Sequence, residues 1–265
     1  MSLAAWHPFR IALAAISIVG YVFLLAPIVV IAASSFGQTQ FLVFPPQGFS
    51  LRWYQEALGR SDFRSGFQIS LLIATIATVL STVIGALAAV AVVRYRFFAR
   101  DVIIALFLSP LILPSLVLAL ALLLMFSSAR IDPSPERLIA AHLVVCVPYV
   151  IRTLVPVLQR FDRSLEEAAQ DLGASPLAAF WLVTLPVIRP GLVAGAFFAF
   201  IISFDEVVLG IFLAPARQPT LPIQIYSAVQ FGLDPTVAAV STLLIGLTLV
   251  LVIVSETLLG IRRLA

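Results

Sequence analysis

The chain has 265 residues, of which 62% are hydrophobic and 11% charged, whereas a soluble globular domain carries about 25% charged residues. Its net charge is +3 and all 16 basic residues are arginine, so the lysine of a nucleotide-binding P-loop and a lysine Schiff base are both excluded. Apolar stretches and short connections take up the length, which predicts an integral membrane protein without a separate soluble catalytic domain.

Six apolar stretches are long enough, or nearly so, to cross a bilayer, and a backbone in lipid must satisfy its own hydrogen bonds as a helix. We therefore predict an all-α membrane protein in which residues 1–265 form a single transmembrane domain. The predicted spans are 11–33, 67–93, 102–126, 138–158, 191–214 and 235–255. The first is longer than a signal-peptide core, so we expect it to be retained. Five prolines interrupt the predicted spans: Pro27, Pro110, Pro114, Pro148 and Pro156. They either kink single helices or mark helices that rearrange around a pathway.

The distribution of arginine predicts the orientation of the spans. With the N-terminus inside, ten arginines fall on the cytoplasmic side and six on the outer side. Cytoplasmic loops are enriched in arginine, and here the loop 94–100 and the Arg262-Arg263 tail decide the balance. We therefore expect both termini and the polar loop 159–190 to lie in the cytoplasm.

The outer segment between the first two spans contains a short helical pattern. Ser50 is placed to cap it, and Leu51, Tyr54 and Leu58 would share one face. Trp53 and Tyr54 suit the headgroup level of the membrane. The segment is either an interfacial helix or a docking surface for an external partner.

The single cysteine and the two histidines do not form a reactive site in the sequence. Cys146 lies in an apolar span, which predicts a small buried residue and excludes an internal disulfide. His7 and His142 are far apart, and we expect His142 to be a packing or interface residue. No cluster of His, Asp and Glu and no nucleophile–base arrangement indicates an enzyme.

The polar loop 159–190 begins with a predicted helix. Four of the chain's 13 acidic residues fall between Asp162 and Asp171. Ser164 and Glu167 match the capping-box pattern, which predicts a helix start. Gly173 predicts its end, since glycine tolerates the left-handed conformation.

A second short helix is predicted directly after the first. Ser175 is placed as its cap, and Pro176 occupies its first position. Its aromatic pair Phe180-Trp181 projects beside small residues, which favours insertion into a cleft of another protein. Pro186 and Pro190 are expected to break the chain before the fifth span. The alternative is a loop that packs on the protein's own inner face.

An acidic pair, Asp205 and Glu206, falls within the predicted fifth span. Asp205 is 14 residues beyond Gly191, roughly 21 Å along a helix, and so in the outer half of the membrane. Charged residues at this depth face the protein interior or a wet cavity. The pair either favours cationic or amine-bearing substrates or forms a structural ion pair or a helix-packing contact, with Arg217 as a candidate ion-pair partner. Successive helical residues point about 100° apart, so one acid of the two would face the pathway.

The order Glu167-Ala168-Ala169, then Gly173, then Leu185-Pro186 resembles the EAA signature of permease subunits of bacterial ABC importers. The segments 109–114 and 221–227, together with 203–206, are similar to the second permease of the spermidine/putrescine branch. That branch shows two aspartates after the Ser-Phe pair, whereas this chain has Glu206 at the second acidic position.

The resemblance covers nearly the whole chain and implies a type I ABC importer permease fold with six transmembrane helices and a cytoplasmic coupling helix. The positions that match the family's motif, and that it implies for docking an ATP-binding subunit, are Glu167, Ala168, Ala169, Gly173, Phe180, Leu185 and Pro186. The pattern of the loop itself adds Glu166, Ala174, Ser175, Pro176 and Trp181 as docking candidates. The candidates for the substrate pathway are Asp205, Glu206, Ser203, Phe204, Ser109 and Tyr149.

The implied partners are a second homologous permease, identical or distinct, two ATP-binding subunits, a periplasmic substrate-binding protein and the bacterial inner membrane. The chain itself would bind no cofactor, metal or nucleic acid and catalyse no reaction, while ATP and magnesium would be used by the partner subunits. Polyamines or related small amines are the expected substrates. Opines or other small solutes are the nearest alternative, and a stand-alone secondary transporter is a different class.

Overall fold

The computed structural model describes residues 6–232 and 234–259, and all regular structure in these ranges is helical. The Arg262-Arg263 tail that supports the predicted orientation lies outside the described residues. The helices are α1 (Trp6–Ser34), α2 (Arg52–Gly59), α3 (Ser61–Arg94), α4 (Arg100–Leu108), α5 (Ser115–Ser128), α6 (Pro135–Arg160), α7 (Ser164–Asp171), α8 (Pro176–Ala179), α9 (Leu185–Phe204), α10 (Val208–Leu213), α11 (Leu221–Phe231) and α12 (Pro235–Leu259).

Five helical stretches are long and apolar enough to cross a membrane, and a bent pair of helices brings the number to six. The five are Phe9–Ser34, Ser61–Arg94, Pro135–Arg160, Pro176–Phe204 and Pro235–Ser255. The predicted all-α membrane fold is confirmed.

The third span departs from the predicted continuous helix over 102–126. The segments Arg100–Leu111 and Ser115–Ser128 meet at a bend of 108°. Pro114 has an extended backbone, with ψ of 133°, directly before α5. A proline lacks an amide hydrogen and disfavours a helical conformation in the residue before it, so the two helices cannot join here.

The start of the fifth span corrects a second prediction, because Pro186 and Pro190 do not break the chain. The helical stretch Pro176–Phe204 is continuous. It contains a wider π-helical turn at Phe180–Thr184, after which the amide of Leu185 bonds to the carbonyl of Phe180. The proline at position 186 has no amide hydrogen to donate, and the wider turn accommodates it within the helix.

Two predicted serine caps are displaced in the structure. The Ser50 hydroxyl accepts a hydrogen bond from the Arg52 amide at 3.1 Å, but α2 begins after Leu51. Helix α7 begins after Arg163 and has no side-chain cap, so the predicted capping box is wrong. The Ser164 amide instead donates to Asp162 at 3.0 Å, and hydrogen bonds from Ser164 lower the pKa of the Asp162 carboxyl.

Two compact units are distinguished by their internal contacts, and the first comprises the described residues within 1–61 and 227–250. In this unit Leu51 and Leu58 are exposed, whereas Trp53, which was predicted to lie at the headgroup level, is buried together with Ala57. The Trp53 indole donates to the Gly37 carbonyl at 2.8 Å. This hydrogen bond turns the ring inward rather than toward a headgroup layer.

The second unit comprises the described residues within 62–226 and 251–265. Its core is formed where α3, α5, α6 and α10 bury apolar side chains against one another. The buried members are Ile73, Leu118, Ala119, Leu122, Phe126, Leu138, Ala141, Leu209 and Leu213. Helices α6 and α9 also pack closely, at the glycines of α9. Burial of this apolar surface orders the helices that carry both the polar loop and the acidic pair.

Candidate functional site

The end of α7 is set by Gly173, as predicted. Gly173 has φ of +92°, a conformation that side-chain-bearing residues rarely adopt. The Gly173 amide bonds to the Gln170 carbonyl at 2.9 Å, and the Ala174 amide bonds to the Ala169 carbonyl at 3.0 Å. These two bonds form a Schellman motif, which satisfies the last carbonyls of the helix and fixes the direction of the chain that follows.

The second loop helix also begins as predicted. The Ser175 hydroxyl accepts a hydrogen bond from the Ala178 amide at 3.2 Å, and Pro176 occupies the first helical position. A side-chain cap and a proline at this position both favour a helix start. Local sequence rules therefore determine the turn between α7 and α8.

The residues at and after the turn present an exposed apolar surface, which we call the docking surface after the role that the sequence predicts for this loop. Its large members are Leu172, which is 91% exposed, Leu177 at 68%, Trp181 at 58% and Leu182 at 75%. Exposed apolar patches on a polar segment mark interaction sites. The ring of Phe180 lies edge-on to that of Trp181, with centroids 5.8 Å apart.

The sequence-predicted docking residues fall into three groups by exposure. Those exposed are Glu167, Ala168, Gly173, Ser175, Pro176, Trp181 and Pro186. Those half-buried are Ala169, Ala174, Phe180 and Leu185. Glu166, by contrast, is buried. One acid of the adjacent pair therefore faces solvent while the other points into the protein.

Glu166 is held by two residues that sequence reasoning did not select. Its Oε1 atom lies 2.5 Å from Nη2 of Arg94, the last residue of α3. Thr184, in the π-helical turn, donates its hydroxyl to the same oxygen. Arg94 precedes Glu166 by 72 residues, and no local pattern in the sequence predicts this contact.

The acidic pair does not lie inside a helix, which corrects the predicted span 191–214. Helix α9 ends at Phe204, and α10 begins at Val208, so Asp205 and Glu206 occupy a break between two helices. Asp205 is exposed and Glu206 half-buried. Neither residue has helical neighbours on both sides, so the 100° rotation between successive helical residues does not set their relative directions.

Glu206 has a structural partner within its own segment. Its Oε1 atom accepts a hydrogen bond from the Leu209 amide at 3.0 Å, which caps the start of α10. A carboxylate near a helix N-terminus is stabilised by the free amides there. Within the described part of the chain, no ion pair joins Arg217 to either acid. Asp205 is therefore the acid whose carboxylate is available to solvent.

Ser203, directly before the break, is tied to α6. Its hydroxyl lies 2.7 Å from Nδ1 of His142, and both residues are buried. One turn further along α6, the thiol of Cys146 is 3.4 Å from the Ala199 carbonyl. The expected packing role of His142 and the burial of Cys146 are confirmed. These contacts hold the end of α9 beside α6 and so position the acids that follow.

The remaining pathway candidates are placed differently. Phe204 stacks on Phe200 at 5.8 Å and meets Phe67 edge-on at 5.9 Å. Ser109 bonds to the Leu106 carbonyl in the turn after α4, and Tyr149 is half-buried on α6. Among the described residues, no hydrogen bond or ion pair links Ser109 or Tyr149 to the acidic break.

Helices of membrane length, a turn that exposes apolar residues and an acidic break are the features that a membrane transport subunit requires. The chain belongs to the family of binding-protein-dependent transport system inner membrane components, whose model matches residues 81–261. This membership confirms the predicted ABC importer permease class, a class of transport subunits.

Two relatives from Escherichia coli (strain K12) resemble the chain over most of their length. The putrescine transport system permease protein PotI is 35% identical over 246 residues, covering 90% of this chain and 86% of PotI. The spermidine/putrescine transport system permease protein PotC is 34% identical over 236 residues, covering 89% of each chain.

Solved structures support the same fold. A chain from a bacterial ABC transporter involved in the import of the acidic polysaccharide alginate matches with a TM-score of 0.74 at 17% identity, covering 97% of this chain and 98% of that one. A second alginate transporter structure, in complex with an alginate pentasaccharide-bound periplasmic protein, gives a TM-score of 0.70 at 16% identity, covering 95% and 93%.

Proposed function

We propose that the chain is a permease subunit of an ATP-driven, binding-protein-dependent importer and that its docking surface receives a separate ATP-binding subunit. The observation that carries this proposal is the exposure of Leu172, Leu177, Trp181 and Leu182 on a turn whose geometry is fixed by a Schellman motif. A rigid turn that presents apolar anchors suits insertion into a preformed cleft, because little conformational entropy is lost on binding.

The complete importer contains a second homologous permease, two ATP-binding subunits that use ATP and magnesium, and a periplasmic substrate-binding protein. It lies in a bacterial inner membrane, with both termini of this chain and the docking surface in the cytoplasm. The excess of arginine on the cytoplasmic side supports this orientation. One of the structural matches is a transporter in complex with a periplasmic protein, which supports a periplasmic substrate-binding protein as the partner on the outer side.

Transport follows from movement of the docking surfaces. ATP binding closes the two ATP-binding subunits, the docked turns of the two permeases move toward each other, and the outer side of the pathway opens. Hydrolysis reverses the movement. The chain contributes surfaces and a pathway to this cycle, and bond cleavage takes place in the partner subunits.

Replacing Trp181 by alanine is expected to weaken binding of the ATP-binding subunit about thirtyfold, since a buried aromatic anchor contributes about 2 kcal/mol or more. The side chain is exposed in the isolated chain, so folding is unaffected. The measurement is copurification with a P-loop ATPase, followed by an affinity titration. Tyr95→Ala is the matched control, because Tyr95 is another exposed aromatic outside the docking surface. Equal binding by the two variants would count against this surface.

We propose that polyamines or related small amines are the transported solutes. The names of the relatives PotI and PotC support amine substrates. The exposed carboxylate of Asp205 at the helix break supplies a negative charge that attracts ammonium groups within the apolar spans. Opines and other small solutes are the second candidate, and identification of the solute held by the cognate binding protein decides between them.

Asp205→Asn is expected to lower putrescine uptake about tenfold or more in the assembled transporter, because a hydrogen bond to a charged group contributes about 1.5 to 3 kcal/mol. Uptake and substrate-stimulated ATP hydrolysis are measured together. Asp101→Asn, at an exposed acid on α4, is the control with the same chemical change. Unchanged uptake and hydrolysis in Asp205→Asn would remove this residue from the pathway. Normal uptake by the chain alone, without an ATPase, would instead establish a secondary transporter.

A further inference from the structure

The buried carboxylate of Glu166 links the docking surface to the membrane helices. Glu166 belongs to α7 and is 8% exposed, whereas its neighbour Glu167 is exposed. Its partner Arg94 is the last residue of α3, a helix of 34 residues and of membrane length. The 2.5 Å contact between their side chains therefore joins the polar loop directly to the end of a span.

A third group reaches the same carboxylate oxygen. Thr184 is fully buried and donates its hydroxyl to Oε1 of Glu166. The Arg94 guanidinium also lies 3.4 Å from the Thr184 hydroxyl. We call Arg94, Glu166 and Thr184 the triad. Its members come from the end of α3, from α7 and from the turn that leads into α9.

The location of Thr184 relates the triad to the start of α9. It is the last residue of the π-helical turn Phe180–Thr184, which carries Trp181 and Leu182 of the docking surface and leads into α9. Turns of this kind occur at functional sites and are adaptable points in an otherwise regular helix. Without a second connection, movement of α8 could be absorbed by this turn and not reach the span.

The buried charge of Glu166 restrains the connection between α7 and α3. A carboxylate removed from water is stable only with a charged or hydrogen-bonded partner, so Glu166 cannot leave Arg94 without exposing an uncompensated charge. Neutral contacts could slide past each other, whereas a triad centred on one oxygen has a single favourable geometry. The two helices and the turn are therefore constrained to move together.

We propose that the Arg94–Glu166–Thr184 triad is a positioning site that transmits displacement of the docking surface into α3 and α9. The inference rests on the proposed function, since it assigns the route by which a docked ATP-binding subunit acts on the membrane helices. It concerns coupling rather than docking, because Glu166 and Thr184 are buried and Arg94 is half-buried, whereas the residues of the docking surface are exposed. Loss of the triad therefore separates ATP hydrolysis from helix movement.

The test is hydrogen–deuterium exchange on the assembled complex, with and without ATP and vanadate. In the wild-type complex, nucleotide is expected to change amide protection both in α7 and in the C-terminal half of α3. The variants are Arg94→Gln, Glu166→Gln and Thr184→Val, the last of which removes the hydroxyl and keeps the shape of the side chain. In each, the nucleotide-dependent change in amide protection is expected to remain in α7 and to fall about tenfold in α3. A tenfold effect is within the range typical of coupling between sites. Arg96→Gln is the control, because Arg96 is an exposed arginine two residues beyond Arg94.

A functional readout accompanies the exchange measurement. Putrescine uptake per ATP hydrolysed is expected to fall about tenfold in the triad variants, while hydrolysis in Arg94→Gln and Thr184→Val, which lie outside the predicted docking set, stays within about twofold of wild type. The charge-exchanged double variant R94E/E166R is expected to recover part of the lost coupling, which a variant with a merely damaged fold cannot do.

Several results would overturn the inference. A wild-type-like response of α3 in Arg94→Gln would show that the triad does not carry the movement. Loss of the copurified ATPase from the triad variants, with no recovery in R94E/E166R, would assign these residues to docking or to folding. Failure of the wild-type chain to copurify with any ATPase would be a different outcome, because it would contradict the proposed function itself.

Discussion

Gly173→Glu is expected to abolish copurification of the ATP-binding subunit while the chain still inserts into the membrane. Position 173 has φ of +92°, and a side chain at such an angle costs about 1 to 3 kcal/mol of strain. Relief of that strain breaks the two Schellman bonds and rotates α8 relative to α7. The glutamate also adds charge and bulk in the open space beside the docking surface.

Comparison of Gly173→Ala with Gly173→Glu separates the effect of backbone strain on binding from the effect of added charge. Gly173→Ala introduces only the backbone strain and is expected to weaken binding of the ATP-binding subunit about tenfold, whereas Gly173→Glu is expected to abolish that binding. Gly59→Glu is the matched control, because Gly59 has an ordinary backbone angle and a Cβ atom added there would have no neighbour within 4 Å. Normal copurification by Gly173→Glu would contradict the assignment of the docking surface.

Gly195→Leu is expected to have the largest effect on stability, because it forces α6 and α9 apart. A Cβ atom at position 195 would lie 2.7 Å from Oγ1 of Thr153 and 3.1 Å from Cα of Val150. The second contact is to backbone, so rotation of a side chain cannot relieve it. Overpacking of this kind costs about 1 to 3 kcal/mol even for small insertions, and the rest of the leucine side chain extends beyond Cβ into the same space.

Thermal unfolding of the purified chain in detergent measures this loss. Gly246→Leu provides the same substitution at a position where an added Cβ has no neighbour within 4 Å, and we expect it to unfold at the wild-type temperature. An equal melting temperature for Gly195→Leu and wild type would mean that α6 and α9 are not packed as closely as the structure has them. Ser203 and the acidic break depend on this packing, so we expect transport to fall with stability.

Features governed by a few neighbouring residues were predictable. The turn between α7 and α8 follows from Gly173, Ser175 and Pro176, because a left-handed glycine, a hydroxyl cap and an N-terminal proline act locally. Membrane-length helices follow from composition, since lipid imposes helical hydrogen bonding on any long apolar segment. The EAA-like order of residues placed the candidate docking site in the loop that exposes apolar side chains.

Proline was the main source of wrong boundaries. The same residue type bends the third span by 108° near Pro114 and is tolerated within the helix at Pro186 and Pro190. Whether a proline breaks a helix depends on whether a wider turn and neighbouring packing can satisfy the freed carbonyls. Sequence spacing does not contain that information.

The sequence by itself determined that this is a helical membrane permease with a defined turn between the two short helices α7 and α8. Only the tertiary structure decided that Glu166 faces inward, that Asp205 and Glu206 occupy a helix break, and that α3 is tied to the docking loop. The physical reason is the range of the interactions involved. Caps and turns form between residues a few positions apart, whereas Arg94 and Glu166 are 72 positions apart and meet only when the helices pack.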